Sequence, residues 1–378
     1  MTARPLDGIL VADLSRVLAG PSATMLLADL GARVIKVERP GTGDDTRAWG
    51  PPWGGSSSSY FESANRSKES IALDFADPAD LAVARALTDR ADVVVENYRT
   101  GSLRRFGLDA ASVHERNPRA VYVSLTGFGS AGGAGMPGYD FLVQALGGLM
   151  SITGSSDGAP QKVGVAVVDL LTGKDAVIGV LAALRHRELT GVGQHVEVDL
   201  FSSLLGSLAN QASAYLATGK APTRLGNRHP SIAPYETLQC AYGLLAVATG
   251  NDRQWAAMAG ALGAPELAAD ARFVRNADRI AHRDEMVSAL EALLAGDTVA
   301  GWTARLAAVG VPAGRVNGID GALALAEDLG LEPTVDVGPG HPAQVRHPIR
   351  YSGFDVRPPA APPALDADGA ALREWLAS

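Results

Sequence analysis

The sequence predicts an α/β protein with a Rossmann-like, mainly parallel sheet, followed by a smaller α+β domain. In the first third of the 378-residue chain, short runs of Val, Ile and Leu alternate with amphipathic helical segments. That alternation is typical of strand–helix–strand units. Hydrophobic residues make up 47% of the chain and charged residues 20%, enough for one elaborate domain or two ordinary ones. Near residue 220 the chain becomes polar and proline-rich in KAPTRLGNRHPSIAPYE, and we place a domain boundary there.

The strands and helices of the large domain follow one another along the first 220 residues. The segments that predict strands are GILVADLS, RVIKVERP, SIALDF, DVVVENY, AVYVSLTGFG and QHVEVDLF. The segments that predict helices are PSATMLLADLGA, DPADLAVARALTDRA with Asp77 as its cap, YDFLVQALGGLM, LLTGKDAVIGVLAALRHRE and SSLLGSLANQASAYLATG. A Gly-, Pro- and Ser-rich loop at residues 40 to 59 interrupts the alternation, and loops of this length inside a domain are usually functional or mobile.

The smaller domain mixes a hairpin with helices. TLQCAYGLLAVATG predicts a hairpin that turns at AYG, and the helical segments are DRQWAAMAGALG, NADRIAHRDEMVSALEALLAG and VAGWTARLAAVG. The tail has a candidate strand, QVRHPIRYSG, a stiff RPPAAPPA segment and a short last helix, DGAALREWLAS.

Composition excludes several classes of function. The net charge is −8 and no basic run is present, which argues against a nucleic-acid surface. No apolar run reaches the roughly 20 residues that cross a membrane, and the first residues lack a signal-peptide pattern. We therefore expect a cytoplasmic protein with no membrane partner. The single cysteine, Cys240, predicts a buried inert thiol, and seven scattered histidines without an HExxH pairing predict no metal site.

Nucleotide motifs are missing from the first strand–helix turn. RVLAGPSA lacks the GxGxxG of dinucleotide sites, and the chain has no GxxxxGK[ST]. The loops at the ends of predicted strands carry arginines instead, at Arg16, Arg39, Arg47, Arg99, Arg104 and Arg105. Arginine's planar fork suits phosphate oxygens, so these residues form either a phosphate-binding rim or a set of solvated surface charges.

Asp169 stands where a glycine- and valine-rich segment meets a strongly helical one, in VGVAVVDLLTGKDAVIGVLAALRHRE. Asp is a common helix N-cap, which stabilises a helix by about 1 kcal/mol. A helix N-terminus also favours a charged carboxylate, ready to act as a nucleophile. Both roles remain open from the residues alone.

Seven segments together resemble the class III CoA-transferase family, which includes formyl-CoA transferase, carnitine CoA-transferase and α-methylacyl-CoA racemase. They are DLSRVLAGP, ADLGARVIKVERPGTGDDTR, NRSKESIALD, ENYRTGSLRRFGLD, the block from PGYDFLVQA to VAVVDLLTG, RLGNRHPSIAPYE and ATGNDRQW. The resemblance implies an interlocked, ring-in-ring homodimer. It also implies a large Rossmann-like CoA-binding domain at residues 1–220 and 326–378, with a small domain at residues 221–325. Coenzyme A and acyl-CoA enter as substrates, with no tightly bound cofactor and no metal.

The resemblance also implies roles for individual residues. Asp169 matches the catalytic nucleophile, which takes the acyl group as a mixed anhydride and then CoA as a thioester. Glycine loops that hold Gly127, Gly129, Gly250 and Asn251 are candidates for stabilising the oxyanions, and ATGND is a candidate lid. The residues implied to hold the adenosine and phosphates of CoA are Arg39, Asn65, Lys68, Leu73, Asn97, Tyr98, Arg105 and Phe106.

Three departures from the patterns of known members narrow the branch of the family. Tyr139 replaces the acid/base histidine of the racemases and matches the transferase pattern, where its hydroxyl could bond a substrate carboxylate. Asp252 aligns with the glutamate of the racemases, so the acid/base pair of the racemases is incomplete in this chain. Leu18 replaces a glutamine of formyl-CoA transferase, which indicates a larger or less polar acyl group than oxalate. The leading hypothesis is CoA transfer from an acyl-CoA to a free carboxylic acid, with dicarboxylic acids such as succinate among the candidates. The alternatives are an acyl-CoA racemase or epimerase and a non-catalytic CoA-binding protein.

Overall fold

The computed structural model describes residues 3–55 and 57–378. Two compact units account for the chain. The large unit comprises the residues up to Leu149, Lys162–Lys220 and Glu332–Ser378, and the small unit comprises Met150–Gln161 and Ala221–Leu331.

The described residues form thirteen strands and fifteen helices. The strands are β1 (Leu10–Asp13), β2 (Arg33–Glu38), β3 (Trp53–Gly54), β4 (Ser57–Ser58), β5 (Glu69–Ala72), β6 (Val93–Glu96), β7 (Val121–Thr126), β8 (Gln194–Asp199), β9 (Tyr235–Gln239), β10 (Leu244–Ala248), β11 (Ala313–Arg315), β12 (Thr334–Val335) and β13 (Gln344–Val345). The helices are α1 (Ala19–Asp29), α2 (Ser59–Glu62), α3 (Pro78–Arg90), α4 (Ala110–Arg116), α5 (Asp140–Leu146), α6 (Leu149–Ile152), α7 (Val167–Thr190), α8 (Leu200–Ser207), α9 (Ala209–Thr218), α10 (Asp252–Ala261), α11 (Asn276–Ala281), α12 (Arg283–Leu294), α13 (Val299–Ala308), α14 (Ile319–Asp328) and α15 (Gly369–Ala377). Short 3-10 turns lie at Asp45–Ala48, Ser102–Phe106 and Pro265–Ala268.

The large unit is built on a six-stranded sheet in the order β5-β2-β1-β6-β7-β8. Every neighbouring pair in this sheet is parallel, which confirms the predicted α/β class. The chain winds outward from β1 to one edge and then returns to begin again at β6, beside β1. The loops that follow β1 and β6 therefore diverge, and such a switch point is where open α/β sheets bind ligands.

Both faces of this sheet are covered by helices. On one face, Val11, Val93 and Val123 pack against α1 and α7, and on the other, Ile35, Val94 and Tyr122 pack against α3, α4 and α15. Side chains point alternately to the two faces of a strand, so a sheet buried on both faces needs nearly continuous apolar runs. That requirement explains the VVV and VYV sequences of β6 and β7.

Three predicted helices are broken in the structure. YDFLVQALGGLM divides into α5 and α6 at Gly147–Gly148, and SSLLGSLANQASAYLATG divides into α8 and α9, where Ala209 takes a φ of 43°. NADRIAHRDEMVSALEALLAG divides into α11 and α12 at His282. Continuous helical periodicity did not reveal these breaks, because each half still has an apolar face to bury.

The predicted strand QVRHPIRYSG is wrong beyond its first two residues. Only Gln344 and Val345 pair, with β12. Pro348 has no N–H to donate to a ladder, and the His347 ring bonds the Asp29 carboxylate through Nδ1 at 3.1 Å. This stretch is held by side chains rather than by a sheet.

The small unit packs a three-stranded antiparallel sheet, β11-β10-β9, against helices α10, α12 and α13. Strands β9 and β10 form the predicted hairpin, and its core includes Trp255, Met286 and Trp302. Cys240 is buried, as expected. Across the described residues, the helices are all too short or too polar to span a bilayer.

Candidate active site

A cavity of about 430 Å³ opens at the carboxyl ends of β1, β6 and β7, at the switch point of the sheet. We call it the Asp169 cavity. Its walls come from the loops after those three strands and from the start of α7. They include Arg16, Val17, Leu18, Asn97, Tyr98, Arg99, Gly127, Gly129, Gly138, Tyr139, Asp140 and Asp169.

Asp169 is the third residue of α7, so its predicted role as the N-cap is wrong. The helix begins at Val167 behind Ala166, which has no capping side chain. Asp140, the first residue of α5, accepts hydrogen bonds from the backbone N–H groups of Val168 at 2.8 Å and of Asp169 at 3.3 Å. The cap is therefore supplied by another helix. Among the described residues, none hydrogen-bonds to the Asp169 carboxylate.

The environment of Asp169 also differs from the expected ionised state at a helix N-terminus. Burial and then the negative charge of Asp140 raise the pKa of Asp169 to about 7. A nearby like charge disfavours ionisation, and Asp140 also takes the first-turn N–H groups that would have opposed this effect. Near neutral pH, Asp169 is poised between its charged and neutral forms.

Two backbone segments meet at the base of the cavity wall. A Cβ built on Gly127 would lie 2.3 Å from the Cα of Gly138, and one built on Gly138 would lie 2.5 Å from the Cα of Gly127. This contact closes the base of the loop at residues 128–137 and sets Tyr139, which is 66% exposed, on the same wall as Asp169. Gly129 lines the cavity too, but its N–H donates to Thr126 Oγ1 at 3.1 Å.

The loop between β1 and α1 is held by buried charged groups. Lys36 Nζ donates to the carbonyl of Ser15 at 3.0 Å and to Asp44 at 2.9 Å, and Asp44 accepts the N–H of Val17. Val17 has a φ of 71°, which is costly for a β-branched residue and persists only where the surroundings hold it. The ion pair thus fixes the wall that carries Val17 and Leu18.

Asn97 ties the loops of the two central strands together. Its side-chain oxygen accepts the N–H of Arg16 at 2.9 Å, and its amide nitrogen donates to the Arg16 carbonyl at 2.7 Å. Arg16 also lies over the Tyr98 ring, 5.1 Å from its centroid. Asn97 was expected to contact CoA, and the structure shows that its amide is already engaged by the protein backbone.

A second cavity, of about 440 Å³, adjoins the first; we call it the Arg39 cavity. It brings together five of the eight residues implied to hold CoA: Arg39, Leu73, Tyr98, Arg105 and Phe106. Sequence reasoning missed Phe75, whose ring lies 5.7 Å from that of Phe106 and 6.3 Å from that of Tyr98. Aromatic and aliphatic faces beside arginines suit a purine that carries phosphates.

Asn65 and Lys68 are placed inside the large unit instead. The Lys68 ammonium, with 0% of its side chain exposed, donates to Asp13 at 3.0 Å, to the Pro21 carbonyl at 2.9 Å and to Asn65 at 2.9 Å. All three of its hydrogens have acceptors, and burial lowers its pKa to about 8. Neither residue lines the two cavities, so the structure does not provide the implied contact with CoA.

The remaining predicted residues belong to the small unit. Asn251 caps α10 by accepting the N–H of Gln254 at 2.9 Å, and the N–H of Gly250 donates to the Gln254 side chain at 2.8 Å. Asp252 accepts from Arg279 at 2.7 Å. Their polar groups thus organise the start of α10 within that unit.

Two groups near Asp169 were not predicted. Gln144 donates to Asp140 at 2.6 Å, and Tyr60 has its pKa raised to about 12 by burial and by the charges of Asp169 and Asp140. Tyr60 lies on α2, directly after the loop at residues 40 to 59 that was predicted to be functional or mobile. Among the described residues, no group of His, Cys, Asp and Glu is arranged to hold a metal ion.

Comparison with known proteins gives a consistent result. The model of CoA-transferase family III matches residues 6–369. The acetyl-CoA:oxalate CoA-transferase of Acetobacter aceti is 42% identical, covering 99% of this chain and 96% of its own. The succinate–glutarate CoA-transferase of Agrobacterium fabrum is 45% identical over 84% of this chain and 81% of its own. A crystal structure of a CaiB/BaiF family protein from Brucella suis superposes with a TM-score of 0.90 at 44% identity, covering 99% of this chain and 100% of that one.

Proposed function

The chain belongs to CoA-transferase family III and is a CoA-transferase, and from that premise we propose that it moves CoA between carboxylic acids through covalent intermediates on Asp169. The observation that carries the proposal is the Asp169 carboxylate itself. It lies on the wall of a cavity at the switch point of the sheet, and no described residue hydrogen-bonds to it. A carboxylate without a partner is free to attack.

The proposed reaction exchanges activated bonds without ATP or a metal. The Asp169 oxygen attacks the thioester carbon of the donor, the C–S bond breaks, and CoA leaves as a thiolate. The thiolate then attacks the Asp169 carbon of the mixed anhydride, forming an aspartyl thioester and releasing the donor acid as its carboxylate. The acceptor carboxylate attacks that thioester, and the released thiolate takes the acceptor acyl group and frees Asp169.

The two cavities suit the two ends of an acyl-CoA. Arg39, Arg105, Phe75 and Phe106 would hold the adenosine and phosphates in the Arg39 cavity. Tyr98 lines both cavities, so the pantetheine arm would pass this residue to bring the thioester to Asp169.

Dicarboxylic acids are the proposed acyl groups. Relatives are named for oxalate and for succinate and glutarate, and the Asp169 cavity has cationic side chains beyond the nucleophile. Arg16 and Arg99 both line it, and the guanidinium of Arg99 forms no ion pair with any described residue. A second carboxylate on the acid would meet this positive charge.

An interlocked homodimer is proposed as the working form. None of the residues of α9 or α14 is buried in the single chain. On α14, Ile319 is 83% exposed, and on α7, Ile178 is 65% exposed. Apolar helix faces of this kind usually pack against a partner. Light scattering of the purified protein should give twice the 39.0 kDa chain mass, and a monomer mass would contradict this proposal.

The test of function is acceptor-dependent transfer. With succinyl-CoA as donor and a panel of mono- and dicarboxylic acids, the protein should form new acyl-CoA only when an acceptor is present. Asp169→Asn should reduce turnover by at least about a thousandfold, and the matched control Asp175→Asn, on the exposed side of α7, should leave it near wild type. Equal activity of the two variants would refute the assignment of Asp169.

A further inference from the structure

Asp140 holds the start of α7 through a chain of hydrogen bonds. One carboxylate oxygen accepts the N–H groups of Val168 and Asp169, at 2.8 and 3.3 Å. The other oxygen accepts the Gln144 amide at 2.6 Å, and the Gln144 oxygen in turn accepts the N–H of Val163 at 2.9 Å. Gln144 is fully buried, so this chain fixes both the first turn of α7 and the segment that leads into it.

This arrangement determines what the Asp169 carboxylate can bind. An acidic side chain in the first turn of a helix ordinarily folds back onto unpaired N–H groups. Here Asp140 occupies the N–H groups of Val168 and Asp169 itself. The Asp169 carboxylate consequently remains on the cavity wall with no hydrogen-bond partner in the described parts of the chain.

The charge of Asp140 adds a second effect. At pH 8, above its raised pKa of about 7, free Asp169 is mainly an anion, whereas its anhydride and its thioester are neutral. A fixed negative charge beside it repels the free form and leaves the acylated forms unaffected. We propose that Asp140 is a positioning residue that keeps the Asp169 carboxylate unpaired and favours its conversion to the neutral covalent intermediates of CoA transfer. The inference rests on the proposed function.

The other polar groups around Asp169 do not supply this effect. Tyr60 on α2 is a phenol whose pKa is raised to about 12, and Tyr139 before α5 carries a hydroxyl. Arg16 and Arg99 on the cavity wall carry the opposite charge. Asp45, the other acidic residue on that wall, forms ion pairs with Arg16 and Arg39. Among the described residues, two effects oppose ionisation of Asp169: burial, which is the larger, and the negative charge of Asp140. Together these two effects raise the pKa of Asp169 to about 7. The same preference for a neutral group applies whether the carboxylate gains a proton or an acyl group.

The half-reaction between enzyme and donor isolates this effect. The enzyme carboxylate and succinyl-CoA give enzyme thioester and succinate: the sulfur of CoA becomes bonded to the Asp169 carbon, and one Asp169 oxygen leaves in succinate. The free thiolate appears and disappears within the sequence, and charge balances: the Asp169 carboxylate and the distal carboxylate of the succinyl group on one side are replaced by the two carboxylates of succinate on the other. Its equilibrium constant compares charged Asp169 directly with neutral thioester.

The experiment titrates this equilibrium at pH 8 with succinyl-CoA and varied succinate, and reads the thioester fraction by intact-protein mass spectrometry. Asp140→Asn retains the oxygen that caps α7, loses the charge and loses the acceptor for the Gln144 amide. The equilibrium constant should fall roughly tenfold, as for a pKa difference of about one unit. The acid limb of its pH–rate profile should move to lower pH. The control Asp77→Asn changes an Asp that accepts two N–H groups, of Ala79 and Asp80 at 2.8 and 3.0 Å, at the start of α3, and should match wild type.

The outcomes separate the inference from the proposed function. If wild type turns over but never forms a thioester, the covalent route and the inference both fail. If wild type forms it and Asp140→Asn has the same equilibrium constant, only the inference fails, and Asp140 is merely structural. If Asp140→Asn does not fold, Asp140→Ser takes its place, because a hydroxyl oxygen can still accept a first-turn N–H without carrying the charge; the same decrease is expected, and an unchanged constant would overturn the inference.

Discussion

Replacement of Gly138 by alanine tests how the cavity wall is built. The new Cβ would lie 2.5 Å from the Cα and 2.8 Å from the N of Gly127, and ordinary contact begins at 3.4 Å. The two backbone segments, at Gly127 and at Gly138, must therefore separate by about 0.9 Å. No rotamer change can relieve the contact because both partners are backbone. Overpacking of this kind costs about 1–3 kcal/mol, so the thermal unfolding midpoint of Gly138→Ala should fall.

The same displacement should impair catalysis. Gly138 precedes Tyr139 and lies on the wall shared with Asp169, and a misplacement of about 1 Å can reduce the rate by about a hundredfold. The matched control is Gly132→Ala in the same loop, where an added Cβ meets nothing within 4 Å. If the two variants melt and turn over alike, the close backbone contact does not support the site and the reasoning is refuted.

Three further predictions concern charge. Because Asp169 attacks as an anion and its pKa is raised to about 7, kcat/KM should decrease tenfold per unit as the pH falls below about 7; a profile that stays level to pH 5 would contradict this. Lys36→Met leaves the buried Asp44 carboxylate without its cation and should destabilise the protein by about 3–5 kcal/mol, measured by denaturant unfolding; a change below 1 kcal/mol would show that the pair is dispensable. Arg105→Gln should raise the KM for acyl-CoA about tenfold with the KM for the acceptor acid unchanged, whereas Arg104→Gln, which lines neither cavity, should alter neither.

The sheet of the large unit could be predicted because its signals are local. Strands buried on both faces need continuous apolar runs, and the runs VVV in β6 and VYV in β7 indicate such strands directly. Asp77 was correctly predicted to cap α3 because cap and helix are adjacent in the chain. The breaks in the longer helices were missed because a positive φ at Ala209 leaves no mark on the apolar periodicity.

Sequence reasoning identified the site residues whose own side chains line a cavity. Asp169, Tyr139, Arg39 and Arg105 all line the two cavities. The sequence predicted that the helix N-terminus would favour the ionised form of Asp169, whereas its pKa is raised. The reason is that N–H groups of the first turn donate to the carboxylate of Asp140 on another helix.

Lys68 and Asn97 show the same limit from the other side. Each has polar groups suited to binding CoA, yet the Lys68 ammonium is hydrogen-bonded to Asp13, and the Asn97 amide is hydrogen-bonded to the backbone of Arg16. Tertiary partners decide whether a polar side chain is available to a ligand, and no spacing in the sequence reports them. Phe75 was overlooked because it has no polar group, although its ring lines the Arg39 cavity.

The central claim, that Asp169 carries the acyl group during transfer, is tested most directly by following oxygen. The enzyme is loaded with CoA from succinyl-CoA, separated, and given one turnover of an acceptor acid labelled with ¹⁸O in its carboxylate. Trypsin then releases the peptide Val163–Lys174, VGVAVVDLLTGK, in which Asp169 is the sole acidic side chain. This peptide should gain one ¹⁸O atom, because the oxygen that attacks the thioester remains on Asp169 when the anhydride is cleaved. Labelled acyl-CoA formed with no ¹⁸O in the peptide would contradict it.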